Sequence, residues 1–109
     1  MNYIVVSILC NKKEIADKII DTLLEKRLIA GAQAYESNSK YWWKDKIESD
    51  KEYLIQMRTK DNLYFEIEKE ILKIHDYEVC DISYRIINGG NRAFLNWIDE
   101  QVGKKSDIF

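Results

Sequence analysis

The side chains of this chain best suited to hold a metal are two thiols, Cys10 and Cys80, and one imidazole, His75. A thiolate suits copper(I) and zinc, and an imidazole suits copper(II), zinc and nickel. Other catalytic chemistry finds little support. There is no G-x-x-x-x-G-K-[ST], no G-x-G-x-x-G and no C-x-x-C. One histidine, with serines mostly in polar turns, gives no evident nucleophile and base pair. Asn88-Gly89-Gly90-Asn91 could present backbone N–H groups to an anion, or could be a plain turn before a helix start.

Composition bounds the rest. The chain has 109 residues, 46% hydrophobic and 33% charged, with no proline. That describes one domain, residues 1–109, with enough apolar surface for a core without staples. A net charge of −2 gives no electrostatic footprint for nucleic acid. Two cysteines cannot build a disulfide framework, so a reduced, cytoplasmic protein is expected. The leading MNYIVVSILC lacks a basic leader and runs straight into polar residues, which reads as a strand and not a secretory signal. No apolar stretch approaches the length of a membrane span, so no membrane partner is expected.

The elements that must position the thiols and the imidazole follow from periodicity. Tyr3 to Leu9 is nearly all apolar and reads as a strand buried on both faces. Asn11, with Glu14 three residues on, can cap a helix. In that helix Ile15, Ile19 and Leu23 form one row, and Ala16, Ile20 and Leu24 the next. Ala30 to Trp43 and Ile47 to Met57 form a long hairpin about Lys44-Asp45-Lys46. Thr59 to Ile74 returns to helical spacing, and Val79 to Ile87 alternates as a strand. Asn91 can cap a short last helix carrying Phe94, Leu95, Trp97 and Ile98, and Gly103 to Phe109 is expected to be a frayed tail.

The order β-α-β-β-α-β plus a terminal helix is the split βαβ, or ferredoxin-like, plan. It is an α+β fold with a four-stranded antiparallel sheet, strands one and three central, and two helices on one face. The second face would carry Tyr41, Trp42, Trp43, Tyr53 and Tyr84. Exposed aromatics over a long hairpin mark a subunit interface, so a homo-oligomer is expected. In this plan strand four lies antiparallel beside strand one. Cys10 at the end of strand one, Cys80 at the start of strand four, and His75 just before it then gather at one end of the sheet. Two readings stand there: a metal site, or buried thiols beside a loop-capping histidine.

From about Ile4 to Asp99 the sequence resembles the CutA divalent-cation-tolerance family. Four strings carry the resemblance: a strand ending in Cys10 followed by a helix ending EKRLIA (Glu25 to Ala30), YWWKDKIESDKEYLIQMRT (Tyr41 to Thr59), HDYEV (His75 to Val79) and NRAFLNWI (Asn91 to Ile98). The resemblance implies a cytosolic homotrimer whose hairpin edges continue neighbouring sheets. It implies tolerance of divalent metals, copper above all, through binding or signalling, with no enzymatic turnover and no organic cofactor. It also relates the trimer to the PII signalling proteins, so a signalling or scaffold module with incidental metal binding is the alternative. A hydrolase or transferase using cleft carboxylates is a third option. The family's recurrent positions match or neighbour Tyr41, Trp43, Glu52, Arg58, His75 and Tyr77, a candidate small-ligand cleft between subunits. For these residues simple interface packing and cross-strand pairing are the competing reading.

The chain also departs from the family pattern. Ala30-Gly31-Ala32-Gln33 stands where the family often has Ala-Cys-Val-Asn, so that thiol is absent. Family prolines are missing at Asn11, between Glu36 and Ser39, at Asp76 and at Cys80. Each would have fixed φ and withheld an N–H. The loop from His75 to Cys80 is therefore expected to be less rigid and to be where this chain differs most.

Overall fold

The computed structural model of the chain describes residues 1–103. The expected frayed tail lies outside these residues apart from Gly103, whose N–H donates to the Arg27 carbonyl at 2.8 Å.

Strand β1 (Tyr3–Cys10) leads into helix α1 (Lys13–Glu25), and strands β2 (Gly31–Trp43) and β3 (Lys46–Lys60) make the hairpin. A 3-10 turn at Asp61–Leu63 opens helix α2 (Tyr64–Ile74); strand β4 (Ile82–Ile86) and helix α3 (Arg92–Gln101) follow. The sheet order is β2-β3-β1-β4 and every pairing is antiparallel, as the ferredoxin-like plan requires.

Helices α1 and α2 cover one face. Beneath them lie Ile4, Val6, Ile8 and Cys10 of β1 with Ile55 and Met57 of β3, all buried. The alternate residues Tyr3, Val5, Ser7 and Leu9 are only partly covered in the single chain, so β1 is not buried on both faces as its apolar run suggests. The third layer over those residues is partial. Helix α3 lies on this second face at one end of the sheet, where Asp99 accepts from Tyr3 Oη at 2.7 Å and from Lys60 Nζ at 2.9 Å.

Helix ends differ from the local reading. Lys12, not Asn11, is the N-cap of α1, and it makes no side-chain cap bond. The first helical bond runs from Ala16 N–H to the Lys12 carbonyl, which puts Asn11 one residue too early to cap. The other end of α1 closes with Arg27 at φ +59°, Arg27 N–H to the Leu24 carbonyl and Leu28 N–H to the Leu23 carbonyl. That is a Schellman motif with its usual hydrophobic contact between the buried Leu23 and Leu28. Thr59 and Lys60 belong to β3 and not to α2, because buried Thr59 Oγ1 donates to the Leu28 carbonyl at 2.6 Å.

Parity along the hairpin sorts the aromatics. Tyr35, Tyr41 and Trp43 share a side with Glu52, whereas Trp42 points to the other side, beyond the helices, and is 72% exposed. Tyr53 and Tyr84 are also on the helix side. Tyr53 packs on the core and Tyr84 packs on Tyr64 with ring centroids 4.7 Å apart. The expected five-aromatic second face is thus a smaller one.

Candidate functional site

The segment between α2 and β4 decides the site. Val79 to Asp81 is not part of β4, whose pairing with β1 ends at Ile8 opposite Ile82. Instead, four consecutive loop residues are tied to four different parts of the chain. His75 Nε2 lies 2.7 Å from the Leu9 carbonyl of β1. Asp76 pairs with Lys12 at 3.6 Å, before α1. Tyr77 Oη donates to Glu52 Oε2 of β3 at 2.5 Å. Glu78 faces Lys44 of the hairpin turn at 3.9 Å. The proline-free loop is held by side chains.

The hydrogen bonds fix the tautomer of His75. Its Nδ1 accepts from the Tyr77 N–H at 3.1 Å, so Nε2 carries the proton and donates to Leu9. The Tyr77 ring meets the imidazole edge-on, with centroids 4.6 Å apart. This is a histidine clasping a loop to a strand.

The two thiols do reach the same end of the sheet. Continuing the β1–β4 register by two residues sets Cys10 opposite Cys80, and both pack in or against the core beneath the helices. Burial, with Cys80 nearby, pushes the Cys10 thiol up to about 12, and burial also raises Cys80. Such thiols stay protonated at neutral pH, whereas a metal binds the thiolate. Both imidazole nitrogens are already engaged. Among the described residues no three His, Cys, Asp or Glu side chains converge as a metal-ligand group. Cys10, His75 and Cys80 as arranged do not fit a preformed copper or zinc centre.

Four of the six expected cleft residues do meet in the single chain. Tyr41, Trp43, Glu52 and Tyr77 line one cavity of about 700 Å³ on the second face, roofed by the loop. Glu52 is only 3% exposed. Its Tyr77 partner is held protonated, the phenol being raised by burial and by that carboxylate. Tyr41 donates to Asp50, which raises its phenol to about 12. Arg58 of the same chain is not there. It lies six residues along β3, roughly 20 Å away at strand rise, where it donates to Gln33 Oε1 at 2.8 Å and sits 5.9 Å from the Phe94 ring. It packs against α3 and makes no ion pair with Glu52 of the same chain. Lining residues that sequence reasoning did not assign to the site include Leu9, Lys40, Asp76, Glu78 and Asp81. The signal for the last three was local: three carboxylates within six residues of the only histidine.

The profile described as CutA1 divalent ion tolerance protein matches residues 4–101. The chain belongs to the CutA1 family. It is 37% identical over 91 residues to the divalent-cation tolerance protein CutA of Pyrococcus horikoshii, covering 84% of this chain and 89% of that one. The crystal structure of CutA1 from the same organism superposes with a TM-score of 0.87 at 35% identity, over 93% of this chain and 99% of the other. The protein described as the periplasmic divalent cation tolerance protein CutA from Archaeoglobus fulgidus gives a TM-score of 0.88 at 31% identity, over 91% and 97%. None of these names carries an enzymatic activity. They relate the family to divalent cations, and they assign the CutA1 fold to the whole sheet that carries the cleft.

Proposed function

We propose that this chain supports tolerance of divalent cations as a cytosolic homotrimer, and that it acts by binding a ligand in the cleft under the 75–81 loop. The observation that carries the reading is the clasp of His75 on the Leu9 carbonyl and of Tyr77 on the buried Glu52 carboxylate. These two part-buried hydrogen bonds anchor the loop, which lowers the ordering cost of binding; the exposed Asp76 and Glu78 ion pairs add little. Catalysis is not part of the reading, since the cleft pairs its carboxylate with a phenol and offers no base and nucleophile couple. The metal response runs through the cleft and not through Cys10, His75 and Cys80, whose protonated thiols and occupied imidazole argue against a copper centre.

Support for the homotrimer comes from the second face. Tyr35 is 49% exposed there. A facing copy would cover it. The cytosolic assignment rests on the two free cysteines. Because an archaeal relative is described as periplasmic, cell fractionation is the direct check.

Growth of a host lacking its own copy of this gene, in elevated copper, tests the function. Wild type and Cys10→Ser with Cys80→Ser should both restore growth, while Glu52→Gln should not. Restoration by Glu52→Gln and failure of the double cysteine variant would overturn the cleft reading. A scaffold or signalling module with incidental metal binding would instead restore growth in every variant that keeps its oligomeric state.

A further inference from the structure

The cleft has a chemical character beyond its connection to divalent cations. Its volume of about 700 Å³ lies within the range of organic-ligand pockets and far exceeds the ~30 Å³ that one water occupies in the liquid. Its walls are aromatic, from Tyr41, Trp43 and Tyr77, and its charge leans acidic, with Glu52 and Asp81 against Lys40 while Asp76 and Glu78 are paired with Lys12 and Lys44. Aromatic faces do not serve as ligands for hard metals, but their quadrupoles attract ammonium groups. The carboxylates, for their part, do not converge as a metal cluster among the described residues.

The chain itself already uses this recognition at the rim. The Lys44 ammonium sits 5.6 Å from the Trp43 ring centroid and 3.9 Å from the Glu78 carboxylate. One ammonium is therefore held between an aromatic face and a carboxylate at the edge of the cleft. Deeper in, Glu52 is buried with the Tyr77 hydroxyl as its one side-chain partner among the described residues. A buried carboxylate with a single neutral donor has unused acceptor capacity, and a cation can fill it at a gain that water-exposed carboxylates do not offer.

We infer that the cleft binds a small organic ammonium cation, with the ammonium on Glu52 and its carbon skeleton against Tyr41, Trp43 and Tyr77. This rests on the cleft being the binding site and names its ligand class. An amine with two cationic ends fits better than a single one, since Asp81 lies along the same cavity.

The test is titration of the native protein with 1,4-diaminobutane, followed by calorimetry and by amide chemical shifts. Tetramethylammonium, sodium acetate and copper(II) serve as parallel probes at matched ionic strength. Saturable diamine binding with shifts centred on Tyr41, Trp43, Glu52 and Tyr77 is expected. Glu52→Gln should weaken it by about tenfold or more, the scale of one charge-assisted hydrogen bond. Trp43→Leu, which keeps the Tyr77–Glu52 clasp, should weaken the diamine and tetramethylammonium by about three- to tenfold. Diamine binding that neither substitution changes, or no saturation by about 10 mM, overturns the inference. If copper(II) or acetate saturates the same residues while the diamine does not, the ammonium assignment alone fails. Shifts confined to residues outside the cleft for every probe overturn the cleft reading as well.

Discussion

Gly31 shows how one residue can settle a family departure. A Cβ built there lies 2.9 Å from Cη2 of the Trp97 ring, closer than such contacts tolerate. A cysteine at this point requires the Trp97 side chain of α3 to give way, since the far edge of its ring fills the space. Gly31→Ala should cost about 1–3 kcal/mol by overpacking, read as a lower midpoint in urea, and Trp97→Phe in the same background should recover part of it. The thiols that remain are shielded ones. With burial raising both, native protein should react with iodoacetamide at pH 7.5 far more slowly than free cysteine does, and equally fast once unfolded in urea. Alkylation at the free-cysteine rate in the folded state would contradict the burial argument. His75 is the residue whose role the sequence left most open. Its neighbourhood was legible from topology, but whether its nitrogens were free depended on the Leu9 carbonyl and the Tyr77 amide, contacts that no local pattern encodes.

At the scale of elements, the hairpin turn carries visible strain. Lys44 and Asp45 both have positive φ, +50° and +64°, in a two-residue turn that favours Asn-Gly. Asp45→Gly should stabilise the fold by about 1 kcal/mol, the scale of the left-handed penalty, seen as a higher unfolding midpoint with an unchanged denaturant slope. Charge pairing on the helices and α3 sets an acid limit. Lys26 and Lys73 hold the Glu70 carboxyl below its ordinary range, and Tyr3 and Lys60 do the same for Asp99. A depressed carboxyl contributes stability that is present above its unfolded value, about pH 4–4.5, and is lost as pH falls through the folded value. Glu70→Gln should therefore lower stability near neutrality, where that contribution is present, and change it little once pH has fallen through the folded value, leaving a flatter profile below about pH 4.5. Element order and strand neighbours were legible because apolar periodicity is a local property. Boundaries slipped where a distant partner decided them. Thr59 reads as helical by spacing but is held in β3 by Leu28, and Val79 to Asp81 alternates like a strand but belongs to the loop anchored on Glu52. Sorting Trp42 from Trp43 needed only the two-residue parity once the register was fixed.

For the whole molecule, the half-covered second face is the feature that asks for a partner. Light scattering should give three times the 13.0 kDa chain mass. Tyr35→Glu, an exposed position outside the core, should reduce it to that of one chain without unfolding the protein. A stable wild-type monomer at micromolar concentration would contradict the interface argument. Family and fold were both legible in the sequence, through four strings in order and the strand pattern. Of the candidate site residues, Tyr41, Trp43, Glu52 and Tyr77 share one cavity of the single chain, Arg58 of the same chain lies against Phe94 of α3, and the two thiols pack in or against the core; which of them a neighbouring subunit brings together is set by assembly and not by local pattern. Divalent-cation tolerance should not depend on a thiolate centre at that end of the sheet. The decisive measurement is calorimetric titration of the intact assembly with copper(II), wild type beside Cys10→Ser with Cys80→Ser. The same stoichiometry and affinity are expected in both proteins. A stoichiometric site present in wild type and lost in the double variant would contradict that expectation.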